Sequence, residues 1–129
     1  MANYELFSRE TKAFIYGAQT AAVQRMLDFD YLCRKDEPSV VAMIPPERGG
    51  FAKFCWGPRE TRVPRLQSLA DAVRQSPQAD VMVNFASQRS AFDSTMEALG
   101  TETIRTIAVI AEGVPERQAR ILSATAKQK

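Results

Sequence analysis

Hydrophobic residues along this chain gather in four short runs, and each run precedes a stretch of mixed residues with helical spacing. The runs cover residues 13–16, 40–44, 81–85 and 107–110. Continuous apolar runs of this length are typical of parallel strands that are covered on both faces. Because strands and helices alternate, the pattern predicts an α/β fold with a parallel sheet and right-handed crossovers.

Two helices are predicted in the first half of the chain. The first begins at Thr20 and runs to about residue 31, and its inward stripe comprises Val23, Met26, Leu27 and Tyr31. The second begins after Ser68, since Asp71 completes a capping-box variant there. Ser76 and Pro77 end this helix, and its predicted buried residues are Leu69, Ala72 and Val73.

The second half of the chain predicts two further helices. One runs from near Ser87 to Leu99 and ends at Gly100, and its inward residues are Phe92, Met96 and Leu99. The other begins after Gly113 with Pro115 in its first turn, and its inward residues are Ile121, Leu122 and Thr125.

Residues 45–64 are rich in Pro and Gly and predict an irregular connection. Thr61, Arg62 and Val63 add a short strand within it, which Pro64 confines to a sheet edge. No strand pattern follows the last helix, although a doubly wound sheet normally continues there. We therefore expect residues 1–129 to form one Rossmann-like doubly wound domain, an N-terminal fragment of a longer chain that is truncated before its last strand.

Composition narrows the possible functions. With 45% hydrophobic and 25% charged residues, the chain resembles an ordinary globular protein. The net charge of +2 is scattered among carboxylates, which argues against a nucleic-acid partner. No apolar run has the length of a membrane helix and the N-terminus does not resemble a secretion signal, so we expect a cytoplasmic protein without a membrane partner. Cys33 and Cys55 are predicted to be buried free thiols.

Histidine is absent from the sequence. Its absence removes Ser–His and Cys–His nucleophile pairs, imidazole metal ligands and phosphohistidine. Asp28 and Asp30 stand at i and i+2 of a predicted helix and point apart, so they do not form a general acid–base pair. We predict a binding role, with no catalytic residue and no metal site in this chain.

Candidate binding residues follow the predicted strands, because ligands of open parallel sheets bind beyond the carboxyl ends of the strands, where helix N-termini attract anions. Gly17 begins a turn of small residues that lets backbone approach a ligand, although two glycines of the dinucleotide fingerprint are missing. The alternative is that Gly17 and Thr20 only shape and cap the helix. Arg48, in the loop after the second strand, suits a phosphorylated ribose, or else is a solvated loop arginine.

The segment after the third predicted strand carries the strongest anion-binding pattern. Ser87, Arg89 and Ser90 bring two hydroxyls and a guanidinium to a helix N-terminus. The structural alternative makes Ser87 a plain N-cap. After the last strand, the Glu112 carboxylate either orients a ligand or caps its own helix.

Longer motifs point to one family. QRMLDFDY at 24–31, DEPSV at 36–40, NFAS at 84–87 with RSAFDSTME at 89–97, and IRTIAVIAEG at 104–113 resemble the coenzyme-A-binding region of ATP-citrate lyase. The resemblance covers nearly the whole chain from Phe7 onward. More distantly, the order of elements resembles the N-terminal domain of the succinyl-CoA synthetase alpha subunit.

The resemblance implies that the complete enzyme converts citrate, CoA and ATP to acetyl-CoA, oxaloacetate, ADP and phosphate through phosphohistidine, citryl phosphate and citryl-CoA. This chain would bind CoA but would be inactive alone, and ATP and Mg would be bound by the remaining domains or subunits of a homo- or hetero-oligomer. The synthetase pattern has glycine where Thr20 stands. The implied CoA-binding residues are Gln19, Thr20, Ala21, Ala22, Arg48, Ser87, Arg89, Ser90, Ile110, Ala111 and Glu112.

Three alternatives stay open from the sequence. A citryl-CoA synthetase subunit would share the CoA site but lack the cleaving domain. A non-catalytic CoA-binding regulatory module would continue into a DNA-binding or effector domain rather than a phosphohistidine segment. A nicotinamide-dependent oxidoreductase is disfavoured by the missing G-x-G-x-x-G motif and by Arg48.

Overall fold

A computed structural model describes residues 6–44 and 50–129 of the chain. The elements, in chain order, are β1 (Ala13–Tyr16), α1 (Thr20–Leu32), β2 (Val40–Ile44), β3 (Phe51–Trp56), β4 (Arg59–Pro64), α2 (Leu69–Gln75), β5 (Val81–Asn84), α3 (Ala91–Leu99), β6 (Thr106–Val109) and α4 (Glu116–Gln128). Among the described residues, no helix is both long enough and apolar enough to cross a membrane.

Four strands form a parallel sheet in the order β2-β1-β5-β6. Each belongs to one of the predicted apolar runs, although β5 ends one residue earlier than predicted and β6 begins and ends one residue earlier. From β1 the chain first moves to β2 on one side, and then to β5 and β6 on the other side. The sheet therefore has a topological switch point between β1 and β5.

Helices cover both faces of this sheet, as a doubly wound fold requires. On one face, Phe14, Ile44 and Met82 form a buried cluster with Leu69 of α2 and Ala98 of α3. On the other face, a second buried cluster combines sheet residues with α1 and with β3 and β4; its members are Ile15, Val23, Leu27, Val40, Met43, Phe54 and Val63. The predicted α/β Rossmann-like class is confirmed.

The prediction for residues 45–64 is partly wrong. Thr61, Arg62 and Val63 do lie in a strand, but that strand is β4, and it pairs antiparallel with β3 in a two-stranded sheet. The turn after β3 contains Gly57, whose φ is +60°. Residues 51–64 therefore form a β-hairpin instead of an irregular loop, and residues 45–49 lie outside the described ranges. We call β3 and β4 together the hairpin.

The hairpin also changes the surroundings of α1. Tyr31, predicted to face inward, is 40% exposed, and its ring makes an edge-to-face contact with Trp56 at a centroid distance of 5.6 Å. Asp30 is buried instead and accepts hydrogen bonds from the Ser39 N–H at 2.8 Å and the Ser39 hydroxyl at 2.5 Å. Lys35 Nζ lies 3.2 Å from the Asp30 carboxylate. The end of α1 is thereby joined to the start of β2.

The two later helices differ from their predictions. Helix α3 begins at Ala91 rather than near Ser87. The predicted inward residues Phe92, Met96 and Leu99 are only half-buried, and its buried residues are Ala91, Ser94, Thr95 and Ala98. Helix α4 starts after Pro115, which is its N-cap, and contains no fully buried residue. Of its predicted inward residues, Ile121 is 39% exposed, whereas Leu122 and Thr125 are half-buried.

The bounds of α2 and the burial of Leu69 and Ala72 are confirmed, whereas Val73 is only half-buried and the predicted burial of the two thiols is wrong. Ser68 is the N-cap of α2, and its side chain accepts a hydrogen bond from the Asp71 N–H at 3.1 Å. Cys33 and Cys55 are free, but Cys33 is only half-buried and Cys55 is exposed, because it lies on the outer face of the hairpin.

Candidate functional site

Backbone hydrogen bonds join the segments that follow the parallel strands. The Gly17 N–H donates to the Ile44 carbonyl at 3.1 Å, and the Phe85 N–H donates to the Tyr16 carbonyl at 2.8 Å. The Ile110 N–H donates to the Asn84 carbonyl at 3.0 Å. The predicted site segments 17–22, 84–90 and 110–113 therefore lie side by side at the carboxyl edge of the sheet.

Gly17 and Phe85 meet at the switch point between β1 and β5. Gly17 has a φ of +114°, and a Cβ at this position would lie only 3.3 Å from the Phe85 Cβ. A side chain here would be strained and would crowd Phe85. Glycine therefore lets the turns after β1 and β5 approach each other closely, at the place where open parallel sheets bind ligands.

The start of α1 is suited to an anion. Gln19, and not Thr20, is the N-cap residue, and no side chain caps this end of the helix. The first turn, which contains Thr20, Ala21 and Ala22, has no acidic residue. N–H groups of a first turn lack intrahelical partners and carry the positive end of the helix dipole. Thr20, Ala21 and Ala22 thus offer small side chains and backbone donors.

Asn84 fixes the next segment to α3. Its side chain is fully buried, and its amide nitrogen donates to the Ser94 hydroxyl at 2.8 Å and the Thr95 hydroxyl at 3.0 Å. Its amide oxygen accepts a hydrogen bond from the Ala86 N–H at 2.9 Å. This role of Asn84 was not among the predictions; its signal in the sequence is an amide that ends an apolar strand and is followed ten residues later by paired hydroxyl residues on a helix.

Ser87, Arg89 and Ser90 lie together in the turn that enters α3. The Ser87 carbonyl accepts hydrogen bonds from the Ser90 N–H at 3.0 Å and the Ala91 N–H at 2.8 Å. Ser90 is the N-cap rather than Ser87, and its side chain does not cap the helix. The two hydroxyl oxygens are 3.4 Å apart, and all three side chains are exposed. The hydroxyls and the Arg89 guanidinium can therefore face a ligand.

The segment after β6 completes this edge. Ile110 and Glu112 are exposed, and Ala111 is half-buried. Gly113 has a φ of +79°, and a Cβ there would lie 2.2 Å from the Gln88 side-chain oxygen. Gln88, which was not predicted as a site residue, therefore reaches from the turn after β5 to the turn after β6. A carboxylate at Glu112 suits hydroxyl or amino donors better than phosphates.

Tyr16 lies under this edge, at the end of β1. Burial, and secondarily the charge of Glu97, raise the pKa of the Tyr16 phenol above its ordinary value. The phenol therefore stays neutral at physiological pH.

Arg48 falls outside the described residues. Within the described ranges, no three His, Cys, Asp or Glu side chains gather as metal ligands would.

Two surface cavities, of about 700 and 480 Å³, contain none of the predicted site residues. The larger lies between β6, α3 and α4, and includes Ile107, Leu122 and Lys129. The smaller is a groove beside α1 over β5 and β6, and includes Met26, Phe29 and Val83. The predicted edge is open, since Ser87, Arg89, Ser90, Ile110 and Glu112 are all exposed.

Parallel strand order, a switch point and uncapped helix starts together define a Rossmann-like α/β domain whose carboxyl edge is suited to an anionic ligand.

No family model matches the chain. Human ATP-citrate synthase is 56% identical over 125 residues, which are 96% of this chain and 11% of the human protein. The probable ATP-citrate synthase subunit 1 of Schizosaccharomyces pombe is 51% identical over 128 residues, covering 98% of this chain and 21% of that protein.

Solved structures agree with these relatives. ATP citrate lyase from Methanothrix soehngenii, in complex with citrate and coenzyme A, is 56% identical with a TM-score of 0.95, covering 96% of this chain and 20% of that chain. A variant of the Methanosaeta concilii enzyme in complex with (3S)-citryl-CoA matches equally well. The resemblance to ATP-citrate lyase is confirmed, and the chain spans between about a tenth and a fifth of the length of these relatives.

Proposed function

We propose that this chain is the CoA-binding segment of an ATP-citrate lyase, which forms acetyl-CoA and oxaloacetate from citrate, CoA and ATP. One observation carries the proposal: the chain matches ATP citrate lyase in complex with citrate and coenzyme A at 56% identity and a TM-score of 0.95. The anion-accepting edge of the sheet gives this similarity a physical basis.

CoA ends in an adenosine that carries a 3′-phosphate and a diphosphate, so its nucleotide end is strongly anionic. Arg89, Ser87 and Ser90 would bind these phosphates through charge-assisted and hydroxyl hydrogen bonds. Gln19, Thr20, Ala21 and Ala22 would contribute backbone donors and the positive end of the α1 dipole. Arg48 would add a second guanidinium, and Ile110, Ala111 and Glu112 would contact the uncharged parts of the ligand.

The chain alone would bind CoA without catalysing the reaction. Its sequence contains no histidine to carry a phosphoryl group. ATP, Mg and the cleavage of citryl-CoA would belong to other domains or subunits, and the complete enzyme would act in the cytoplasm as an oligomer. Because the edge is open, we expect the isolated chain to bind CoA more weakly than a complete enzyme does.

Calorimetric titration with CoA and with NAD tests the proposal. We expect CoA to bind and NAD not to bind. Replacing Arg89 with Leu should weaken CoA binding about tenfold, the effect of losing one charge-assisted hydrogen bond. Arg74→Leu is the matched control, because this exposed arginine lies in the last turn of α2 and pairs there with Asp71. Equal affinity for NAD and CoA, or no binding of CoA, would contradict the proposal.

A further inference from the structure

Arg65 is a cation beside the carboxyl edge of the sheet and was not among the predicted site residues. It follows β4 directly, and it forms a parallel bridge with Met43 near the end of β2. The next residue, Leu66, donates its N–H to the Met43 carbonyl at 2.8 Å. The chain at Arg65 therefore runs alongside the outer edge of β2, in the same direction as the four sheet strands.

The backbone of Arg65 is held from its other side too. Its N–H donates to the Gly50 carbonyl at 2.7 Å, which extends the hairpin ladder by one pair beyond Phe51 and Pro64. The hairpin itself is anchored in the core through Phe54 and Val63. Arg65 is therefore held in place by two neighbouring strands and does not lie on a free loop.

This placement puts Arg65 close to the turn that starts α1. Gly17 is hydrogen bonded to Ile44, which directly follows Met43. Arg65 is opposite Met43, which is opposite Ile15, and neighbouring strands are separated by about 4.8 Å. The backbones of Arg65 and Ile15 therefore lie about 10 Å apart, and Gly17 follows two residues later. The side chain of Arg65 is half-exposed and forms no hydrogen bond or ion pair with another residue in 6–44 or 50–129.

A half-exposed guanidinium that pairs with no residue of the described ranges, held beside the proposed binding edge, can form a fork of hydrogen bonds with a phosphate. We propose that Arg65 is a further phosphate-binding residue for the nucleotide end of CoA. This inference rests on the proposed CoA site and extends that site across β2 to the hairpin. Arg65 lies on the β2 side of the turn after β1, and Arg89 lies on its β5 side, so the two cations would bracket the anionic group.

The test is calorimetric titration of the wild-type chain and its variants with CoA and with 3′-dephospho-CoA. We expect Arg65→Leu to weaken CoA binding about tenfold, and Arg65→Lys to recover part of the loss because the charge returns without the fork. The matched control is Arg62→Leu, since Arg62 is exposed on β4 opposite Lys53 and about 10 Å back along the strand. The affinity of the Arg62→Leu variant for CoA should stay within about twofold of wild type.

The dephospho-CoA series identifies the phosphate. If Arg65→Leu weakens binding of CoA but not of 3′-dephospho-CoA, Arg65 contacts the 3′-phosphate. If it weakens binding of both ligands, Arg65 contacts the diphosphate. Both outcomes support the inference. Arg65→Gln keeps the aliphatic stem, so it replaces Arg65→Leu if the leucine variant does not fold. If wild type binds CoA and the folded Arg65 variants bind it equally well, the inference is wrong and the proposed function stands. If wild type does not bind CoA, both are wrong.

Discussion

The side-chain amide of Gln24, on α1, exchanges two hydrogen bonds with the backbone of Cys55, on β3. The amide nitrogen donates to the Cys55 carbonyl at 2.9 Å, and the amide oxygen accepts from the Cys55 N–H at 2.9 Å. Gln24 thus provides hydrogen-bond partners for both the N–H and the carbonyl of Cys55, as a neighbouring strand would. The hairpin is joined to α1 by this contact, by the packing of Phe54 and by the contact of Tyr31 with Trp56.

Replacing Gln24 with Ala should destabilise the protein. Two hydrogen bonds between α1 and the hairpin are lost, and the expected decrease in the free energy of unfolding is about 1–2 kcal/mol, since Gln24 is only half-buried and Cys55 is exposed. Urea denaturation measures this change. Gln75→Ala is the control, since Gln75 is exposed at the end of α2 and should change stability by less than about 0.5 kcal/mol. Equal effects of the two substitutions would contradict the described contact.

Replacing Gly57 with Ala should destabilise the protein more than replacing Gly50 with Ala. Both glycines have positive φ, so both substitutions strain the backbone by about 1 kcal/mol. A Cβ at Gly57 would also lie 2.1 Å from the Tyr31 ring, whereas a Cβ at Gly50 would meet no described residue within 4 Å. We expect about 2–4 kcal/mol for Gly57→Ala and about 1 kcal/mol for Gly50→Ala. Thermal denaturation of both variants measures the difference, and similar values would argue against close packing of Gly57 on Tyr31.

Asn84 should be among the polar residues that matter most for stability. Substitution with Ala removes three hydrogen bonds at a fully buried position and leaves the Ala86 N–H without its partner. The expected decrease in unfolding free energy is about 2–4 kcal/mol. Ser94→Ala removes only one hydroxyl of this network and should cost about 1 kcal/mol. A smaller effect for Asn84→Ala than for Ser94→Ala would disprove the anchoring role.

Tyr16 should make the protein less stable at alkaline pH. Because its pKa is raised in the folded protein, the folded state disfavours the phenolate that the unfolded chain forms freely near pH 10.0. Stability is therefore unaffected by this group below about pH 10 and falls as the pH rises toward the raised pKa. Absorbance titration of tyrosinate should contain a late component that Tyr16→Phe abolishes. A late component that survives in the variant would contradict this assignment.

The parallel sheet could be predicted from sequence because its strands are buried on both faces and read as unbroken apolar runs. Ile15 and Met82, for example, face opposite buried clusters from within such runs. The hairpin was missed because glycines and prolines flank its strands and favour a loop when the segment is taken alone. The alternation in β3, with Phe54 buried between the exposed Lys53 and Cys55, was the signal that could have found it.

Helix α3 illustrates a second limit of the sequence pattern. The large residues Phe92 and Met96 predicted its inward face, but the small residues Ala91 and Ala98 are the buried ones. Asn84 requires hydroxyl partners from this helix, which turns Ser94 and Thr95 toward the sheet and moves the larger side chains to the flanks. Single-sequence periodicity does not contain such a requirement, because it arises only from the tertiary contact.

The candidate site was predicted as a set of segments, and the described segments do lie side by side. Strand order made this possible, since the turns after parallel strands share one edge. The contact of Gln88 with Gly113 and the position of Arg65 beside β2 were not predictable in the same way. The first depends on the orientation of the turns after β5 and β6, and the second depends on where the chain runs after the hairpin. Local sequence determines neither of them.

A crystal structure of this chain with CoA tests the central claim most directly. We predict that the phosphorylated adenosine lies at the carboxyl edge of the sheet, with its phosphates between the first turn of α1 and the turn of Ser87, Arg89 and Ser90. Coenzyme A bound instead in the apolar groove beside α1, next to Met26, Phe29 and Val83, would contradict the account.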